Sequence, residues 1–486
     1  MVQATGSAEP PVETPMDART RTLLEAPVAT TLVRLAVPNV IVMAVQASIG
    51  LIETYFVARL GLDALAGMAL VFPVLMLVQT ISAGAMGGGI LSAIARALGS
   101  GDKAKANELV WTATYLALGL GVVTTVLALG FGASLYALLG GTGGSLAAAL
   151  TYSGIVFAGA IPLWLFNSLA AAIRGTGNMF FPAAIITIGA VVLVPLSPAL
   201  IFGFGPLPQL GIAGGAVAVV AYYIVGTAVF AWYLWSGRGV LAPRLRPVSI
   251  STRPLADILR VGLASSVVSV STNLTIIVAT GLAGRVGPAA VAGYGTGVRL
   301  EYLLIPLVFG LGAPMSAMVG TNIGAGQRAR AVRVAWIGAG IAAATTECIG
   351  LAAAFAPIAW LGLFGDDAGM LATGAAYLRI VGPVFGFFGG GLALYFAGQG
   401  TGRVFWPMMI GIARVVLAAG GGALAVAMWG SSEALFVALA GAMVVFGVAN
   451  AGVVTLRGWG ARPATPASRQ PQAQSARPAA AAASGD

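Results

Sequence analysis

Twelve apolar runs, most of them 20 residues or longer, constrain this chain more than any other feature of its sequence. A helix of about 20 residues crosses the roughly 30 Å hydrocarbon core of a bilayer. Only 8% of the 486 residues are charged, far below the roughly 25% of soluble domains, so lipid must be the solvent for most of the surface. The sequence therefore predicts an all-α integral membrane fold with twelve transmembrane helices. The runs lie at about 32–57, 65–94, 108–131, 150–172, 181–203, 210–236, 258–283, 290–318, 332–356, 372–397, 404–428 and 434–456.

Lysine and arginine are distributed unevenly between the predicted loops. On one face the loops between spans hold only Arg59 and Arg285, whereas those on the other face, called the basic face below, hold many more. The positive-inside rule places the basic face in the cytoplasm. We therefore expect a multi-pass protein of the cell inner (plasma) membrane with both termini cytoplasmic, and we attribute the net charge of +10 to topology, with no nucleic-acid partner. The loop residues of the basic face are Arg96, Lys103, Lys105, Arg174, Arg238, Arg244, Arg246, Arg253, Arg328, Arg330, Arg333 and Arg403.

The chain repeats itself at an interval of about 225 residues. Six predicted spans separate equivalent positions, so both halves have the same orientation and their axis lies along the membrane normal. We predict two six-helix lobes related by pseudo-twofold symmetry around a central cleft. The matched segments are 59–61 with 285–287, 99–106 with 324–331, and 174–177 with 399–402, together with Tyr152 and Tyr377.

The predicted organisation has five parts. The lobes occupy 30–236 and 257–457, joined by a basic cytoplasmic linker at 237–256. The polar segments 1–29 and 458–486 are predicted to be disordered cytoplasmic tails. No apolar run precedes the first span, so no cleavable signal peptide is expected.

Several kinds of chemistry are excluded by residues that the sequence lacks. Histidine is absent and the only cysteine is Cys348, which removes disulfides and most transition-metal sites. No phosphate-binding loop of the G-x-x-x-x-G-K-[ST] form occurs, so an ATP-driven pump within this chain is excluded. We expect no cofactor, no metal site and no enzymatic activity. Any proton chemistry inside the membrane must rest on carboxylates.

Three carboxylates lie inside predicted spans: Glu53, Glu301 and Glu347. An ionised side chain near the bilayer centre costs about 2.5–3.5 kcal/mol on insertion scales, so such residues are functional candidates by default. For Glu347 the alternative is a buried protonated acid bonded between helices. For Glu301 the alternative to substrate or cation handling is an ion pair with another helix.

Glu53 ends a polar stripe on the first span. Asn39, Gln46 and Glu53 are spaced by seven, so they share one helical face that must meet a cavity or a partner helix. We predict that this stripe reaches the cleft and that Glu53 is a functional residue there. The alternative is a residue at the membrane surface that pairs with Arg59.

A second set of polar and aromatic residues is predicted to line the cleft. On the seventh span Ser266, Asn273 and Thr280 are spaced by seven and share one helical face. Hydrogen bonding between helices would explain that polar face equally well. Arg299 is the only arginine that the pattern places deep in a span, with Arg379 and Arg414 nearer the ends. The candidates are Ser266, Asn273, Thr280, Tyr294, Arg299 and Tyr302.

These segments resemble the multidrug and toxic compound extrusion (MATE) family over about residues 30–456. Pro38, Gln46, 52–54 and 59–61 are similar to that family's first-helix pattern, and the repeated glycine-basic loops resemble its short loops. The resemblance implies export of bulky, often cationic compounds against an inward flow of protons or sodium, with the first-helix carboxylate, here Glu53, as the cation site.

The sequence also departs from that family. Glu53 stands where Asp is usual, and Leu193 and Ser197 occupy the positions of a fifth-helix Asn and Asp found in one branch. Ala279 and 389–391 lie near the positions where other members carry acidic residues. The departures disfavour a sodium site, which needs several oxygen ligands at once, so we expect protons to be the coupling ion.

The sequence thus predicts a monomeric secondary transporter that exports small organic compounds in exchange for protons or sodium. One alternative of the same architecture is a lipid-linked oligosaccharide flippase, which should place several cationic side chains in the cleft to hold pyrophosphate. An alternative of another class is a membrane-embedded enzyme or a structural scaffold. An enzyme needs converging catalytic side chains, and a scaffold needs no polar cleft.

Overall fold

The twelve predicted spans appear as helices in the computed structural model, which describes residues 17–205, 208–246 and 251–456. In that part of the chain eleven helical stretches are long and apolar enough to cross a membrane, and the count is twelve when the pair α6–α7, bent by 50°, is taken as one span. The elements are α1 Ala18–Glu25, α2 Val28–Ala58, α3 Leu62–Gln79, a π-helical segment Thr80–Met86, α4 Gly87–Gly99, α5 Lys103–Leu138, α6 Gly143–Ala158, α7 Ala160–Gly175, α8 Phe180–Phe202, α9 Ile212–Trp235, α10 Thr252–Val286, α11 Pro288–Gly324, α12 Arg328–Phe355, α13 Pro357–Leu361, α14 Ala368–Val381, a 3₁₀ turn Gly382–Val384, α15 Phe385–Thr401, α16 Phe405–Trp429 and α17 Ser432–Leu456.

Each half of the chain has its own apolar core. Helices α2–α9 form one lobe, whose main core contains Ile90 and Phe166. Helices α10–α17 form the other, whose core contains Tyr377 and Phe388. Both cores are rich in alanine because small residues allow membrane helices to approach closely. The all-α fold with two six-helix lobes agrees with the prediction.

The two lobes meet at the basic face through a pair of equivalent glycines. A Cβ atom on Gly99 would lie 2.0 Å from the carbonyl oxygen of Thr321, and one on Gly324 would lie 2.1 Å from that of Arg96. Gly99 is equivalent to Gly324 in the repeat, and Arg96 is equivalent to Thr321. The contact is therefore reciprocal about the pseudo-twofold axis, as in an isologous dimer interface. Only glycine allows the two backbones to pack this closely.

The π-helical segment Thr80–Met86 accounts for a change in the repeat interval. The interval is 226 residues from Gly67 to Gly293 but 225 from Gly99 to Gly324, so the first repeat contains one extra residue between these points. A π-bulge accommodates such a residue without breaking the helix. The second span of the first lobe is consequently widened by one residue near its middle.

The structure corrects two predicted boundaries. Residues 18–25, predicted to belong to a disordered tail, form helix α1, whose Leu23 and Leu24 are buried. A helix of eight residues is unstable alone, so contacts with the rest of the protein must hold it. Residues 252–256, predicted to belong to the linker, form the first turns of α10. The rest of the predicted first tail, residues 1–16, and the whole predicted tail 458–486 lie outside the described residues.

Candidate functional site

Glu53 points into the first lobe and not towards Arg59. The Tyr152 hydroxyl of α6 donates a hydrogen bond of 2.8 Å to Glu53 Oε1. Glu53 Oε1 also lies 3.4 Å from the point where a Cβ on Gly215 of α9 would stand, and Ser197 Oγ of α8 lies 3.7 Å from the same point. Helices α2, α6, α8 and α9 thus converge on one carboxylate. Arg59 instead donates to the Tyr55 hydroxyl at 2.5 Å, so the alternative pairing does not form.

One hydroxyl at this site has no partner among the described residues. Ser197 is 4% exposed and its Oγ makes no hydrogen bond there. Buried polar groups are nearly always satisfied by protein, water or an ion. An unsatisfied hydroxyl therefore lies beside the Glu53 carboxylate, as a second oxygen near the same point of α9.

A polar cluster extends from this site towards the π-helical segment. The Tyr223 hydroxyl, which lies within electrostatic range of Glu53, donates to Gln79 Oε1 at 3.4 Å. Asn167 Nδ2 donates to Gln79 Oε1 at 3.3 Å and to Ser82 Oγ at 2.8 Å. The widened part of the second span thus carries polar groups on the side that faces α7 and α9, within the lobe that holds Glu53.

Glu301 forms the one ion pair found among the described residues. Arg414 Nη2 of α16 lies 3.1 Å from Glu301 Oε1, and both side chains are 3% exposed. The Tyr377 hydroxyl donates to Glu301 Oε2 at 3.3 Å, and the Arg414 guanidinium lies 4.6 Å from the ring centre of Phe388. The pair borders a cavity of about 10 Å³, which is enough for about one water molecule.

Glu347 binds a backbone group between helices. Its Oε2 accepts a hydrogen bond of 2.6 Å from the Gly386 amide, where α12 packs on α15. Neighbouring Thr346 donates to the Phe385 carbonyl at 3.0 Å. These contacts tie the two helices together.

The other residues of the α2 stripe lie deeper. Asn39 is 4% exposed, and its Nδ2 has no partner among the described residues, whereas Gln46 is partly buried. Val37 and Ile41, on other faces of α2, are about half exposed and line an apolar cavity that α2 shares with α11 and α12. No hydrogen bond joins Asn39 or Gln46 to Glu53 among the described residues.

The polar stripe of α10 is satisfied within its own helix. Ser266, Asn273 and Thr280 donate to carbonyls four residues earlier, at 2.9, 3.0 and 2.9 Å. Asn273 and Thr280 are exposed at the protein surface. Among the described residues the stripe therefore makes no hydrogen bond to another helix, so hydrogen bonding between helices does not explain this polar face.

The candidates on α11 divide between surface and core. Arg299 is exposed and lies over the ring of Phe364 at 4.9 Å, and Tyr302 is 45% exposed. Tyr294 is buried in the second lobe and contacts Tyr377 edge to face at 5.3 Å. Arg299 thus lies at the surface of the second lobe. Arg414 is instead buried in the protein, where Glu301 and two aromatic rings surround its guanidinium.

An apolar cavity of about 260 Å³ lies between the lobes, at the junction of α2, α11 and α12. Ala36 and Val40 of the first lobe face Val308, Leu311 and neighbouring residues of the second. The cavity contains none of the intramembrane carboxylates. It is smaller than most pockets that enclose a drug-sized ligand.

Sequence reasoning missed the partners of the carboxylates. Tyr152 and Tyr377 are equivalent in the repeat, and each donates to a buried carboxylate, Glu53 in one lobe and Glu301 in the other. Their recurrence at the 225-residue interval was the available signal. Arg414 carried no such signal, because the equivalent residue in the first lobe is Gly189.

Comparison with known proteins agrees with the duplicated architecture. The MatE family model matches residues 38–199 and separately 264–424, which are the two halves of the repeat. The FAD transporter of Shewanella oneidensis is 26% identical over 395 residues, covering 81% of this chain and 87% of that protein. A probable multidrug resistance protein NorM of Thermotoga maritima is 24% identical over 383 residues, covering 78% and 81%.

Solved structures give the same result. A crystal structure of a MATE protein in the bent conformation superposes with a TM-score of 0.81 at 26% identity, covering 91% of this chain and 97% of that one. A transporter of the MOP superfamily from Pyrococcus furiosus, described as having a binding pocket of reversed polarity, superposes with a TM-score of 0.80 at 25% identity, covering 92% of this chain and 99% of that one.

Proposed function

The chain belongs to the MatE family of multidrug and toxic compound extrusion transporters, and we propose that it exports small organic cations in exchange for protons that bind Glu53. It is a multi-pass membrane transporter and not an enzyme. The proposal concerns the coupling ion, the residue that binds it and the charge of the substrate.

The lack of a counter-charge at Glu53 is the observation that supports this proposal. Glu301 has the guanidinium of Arg414, whereas neither Glu347 nor Glu53 has a positive partner among the described residues. Glu347 is held by a backbone amide between two helices, but Glu53 meets only the Tyr152 hydroxyl of a side chain. A carboxylate without a positive partner in a low-dielectric site is stabilised by taking up a proton or a cation. Glu53 is therefore the intramembrane carboxylate best able to change its charge during a transport cycle.

The exchange follows from competition for one carboxylate. A proton on Glu53 makes the side chain neutral, which removes its attraction for a cationic substrate. Loss of the proton restores a negative charge that attracts the next cation. Pro38 leaves α2, the helix that carries Glu53, with a missing backbone hydrogen bond, which makes the helix easier to bend when the charge changes.

Proton coupling is preferred over sodium because the site offers few oxygen ligands. Besides the Glu53 carboxylate, the described groups near it are the hydroxyls of Tyr152 and Ser197. We expect purified protein in proteoliposomes to accumulate ethidium under ΔpH alone and to give no accumulation under a sodium gradient alone. Accumulation under sodium alone, with none under ΔpH, would overturn the proposed coupling.

Substrate charge is tested in the same vesicles. The relative named as an FAD transporter makes FAD the informative anionic probe. An uncompensated carboxylate at Glu53 should repel it, so we expect ΔpH-driven uptake of ethidium and not of FAD. Uptake of FAD that depends on Glu53 would keep the coupling residue but replace the proposed substrate class.

We propose that the basic face lies in the cytoplasm of the cell that makes this protein. The warrant is the arginine and lysine excess of its loops, which the fold places together at one end of the helices. In a Cys348→Ser background, a cysteine at Ser251 should resist an impermeant maleimide in intact cells and react after the cells are opened. Reaction in intact cells would reverse the orientation.

A further inference from the structure

Leu23 of helix α1 touches both lobes at the basic face. A Cβ atom on Gly177 of the first lobe would lie 2.8 Å from Leu23 Cδ1, so the two residues are in close contact. The Leu23 carbonyl accepts a hydrogen bond of 3.1 Å from Asn322 Nδ2 at the end of α11, in the second lobe. Leu23 is 3% exposed and Asn322 is completely buried, so this bridge is part of the protein interior.

The second lobe also holds the end of α1. Arg330 Nη2 of α12 donates to the Ala26 carbonyl. The last carbonyls of a helix lack partners within the helix and carry partial negative charge, so a guanidinium there is favourable. On the other side, Arg19 reaches the Tyr233 hydroxyl of α9 in the first lobe at 3.4 Å. Helix α1 thus spans the line along which the lobes meet.

The repeat shows which place α1 fills. Gly177 and Gly402 are equivalent, and both have left-handed backbone conformations, with φ of +81° and +76°. Beside Gly402 lies the side chain of Arg96, which crosses from the first lobe and donates to the Gly400 carbonyl at 3.2 Å. The residue equivalent to Arg96 is Thr321, which is too short to make the reciprocal crossing and bonds within its own helix.

We propose that helix α1 is the second half of the gate that closes the basic face, with Leu23 occupying on Gly177 the place that Arg96 occupies on Gly402. Three contacts then close the basic face. They are the reciprocal glycine contact, the bridge from Arg96 to Gly402 and, on the other side of the pseudo-twofold axis, the bridge from Leu23 to Gly177. Opening of this face requires Leu23 to leave Gly177, or the bonds from Asn322 and Arg330 to break. Helix α1 therefore sets how often the face opens.

The rate at which a buried gate residue reacts measures this opening. Thr321 is 1% exposed and lies at the glycine contact, so Thr321→Cys in a Cys348→Ser background serves as reporter. In purified full-length protein, we expect Leu23→Ala to accelerate its reaction with N-ethylmaleimide about tenfold or more, since the truncation removes buried packing that favours the closed state. Leu23→Met should react at nearly the unmodified rate, because it restores the volume.

Matched variants separate gating from loosening of the fold. Arg330→Gln removes one bond to α1 without touching its apolar side, and should also accelerate the reporter, whereas Arg21→Ala on the exposed face of α1 should not. A second reporter, Ser153→Cys in the interior of α6, should be unaffected by Leu23→Ala. Unchanged reaction at Thr321→Cys in both gate variants, or equal acceleration at both reporters, would overturn the proposal. The measurement needs neither transport nor Glu53, so its failure is distinct from failure of the coupling mechanism.

Discussion

Glu53→Gln protein is expected to insert and fold normally but to lose all ΔpH-driven transport. The amide keeps the shape of the side chain, and its oxygen can still accept the Tyr152 hydroxyl. It cannot exchange a proton, so the charge at the site no longer changes. With one proton exchanged for one monovalent cation, each unit of ΔpH is worth about 1.4 kcal/mol, and sustains about a tenfold substrate gradient. In the variant this gradient should fall to one, measured with ethidium in proteoliposomes at zero membrane potential.

Glu347→Gln is the matched control for that experiment. It also converts an intramembrane carboxylate to an amide, but at a site where the carboxylate accepts a backbone hydrogen bond from Gly386. This variant should keep ΔpH-driven transport, and Glu53→Asp should keep part of it, because it retains the proton but reaches one methylene less far. A gradient built by well-folded Glu53→Gln protein would refute the assignment of Glu53 as the coupling residue.

The number of membrane helices and their division into two lobes can be predicted from the sequence, because the lengths of the apolar runs and the internal repeat are visible in it. Each apolar run long enough to cross the bilayer became a helix or a bent helix pair, and the 225-residue interval gave the two lobes. The same interval locates the reciprocal contact of Gly99 and Gly324, which joins the lobes at the basic face. Membrane solvation leaves the backbone few alternatives to helix, which is why these features are predictable.

Which side chains of different helices contact each other cannot be predicted in this way, because the rotation and tilt of each helix are set by packing. Glu53 was identified as a polar residue on a stripe, but its partner Tyr152 lies 99 residues away on α6. Nothing in the sequence around Arg414 indicates that its side chain is buried against Glu301. Helix α1 was missed because eight residues with a polar composition give no periodic signal, and its order comes from Asn322 and Arg330.

Removal of Arg414 should have the largest effect on stability. Glu301 would then keep only the Tyr377 hydroxyl in a site that is closed to solvent. Breaking a buried ion pair from one side costs about 3–5 kcal/mol, because the remaining charge is uncompensated. We expect Arg414→Met to lower the unfolding temperature strongly in detergent. Arg414→Lys should fall between, since it keeps the charge but loses the planar group that lies over Phe388.

The unfolding temperature of the double variant Glu301→Leu with Arg414→Met is the comparison that decides the cause of the loss. Replacing both members of a buried pair by apolar residues is often neutral or stabilising, by about 1–4 kcal/mol. The surroundings suit the change, because Ile276, Leu439 and Met443 already line the adjoining cavity. We expect the double variant to melt near the unmodified protein and to keep ΔpH-driven transport that depends on Glu53. If it is as unstable as Arg414→Met alone, the uncompensated charge is not the cause of the loss. If the double variant is stable but does not transport, the role of Glu301 is more than structural. Glu301 then takes part in substrate or cation handling, the role that its position inside a span indicates.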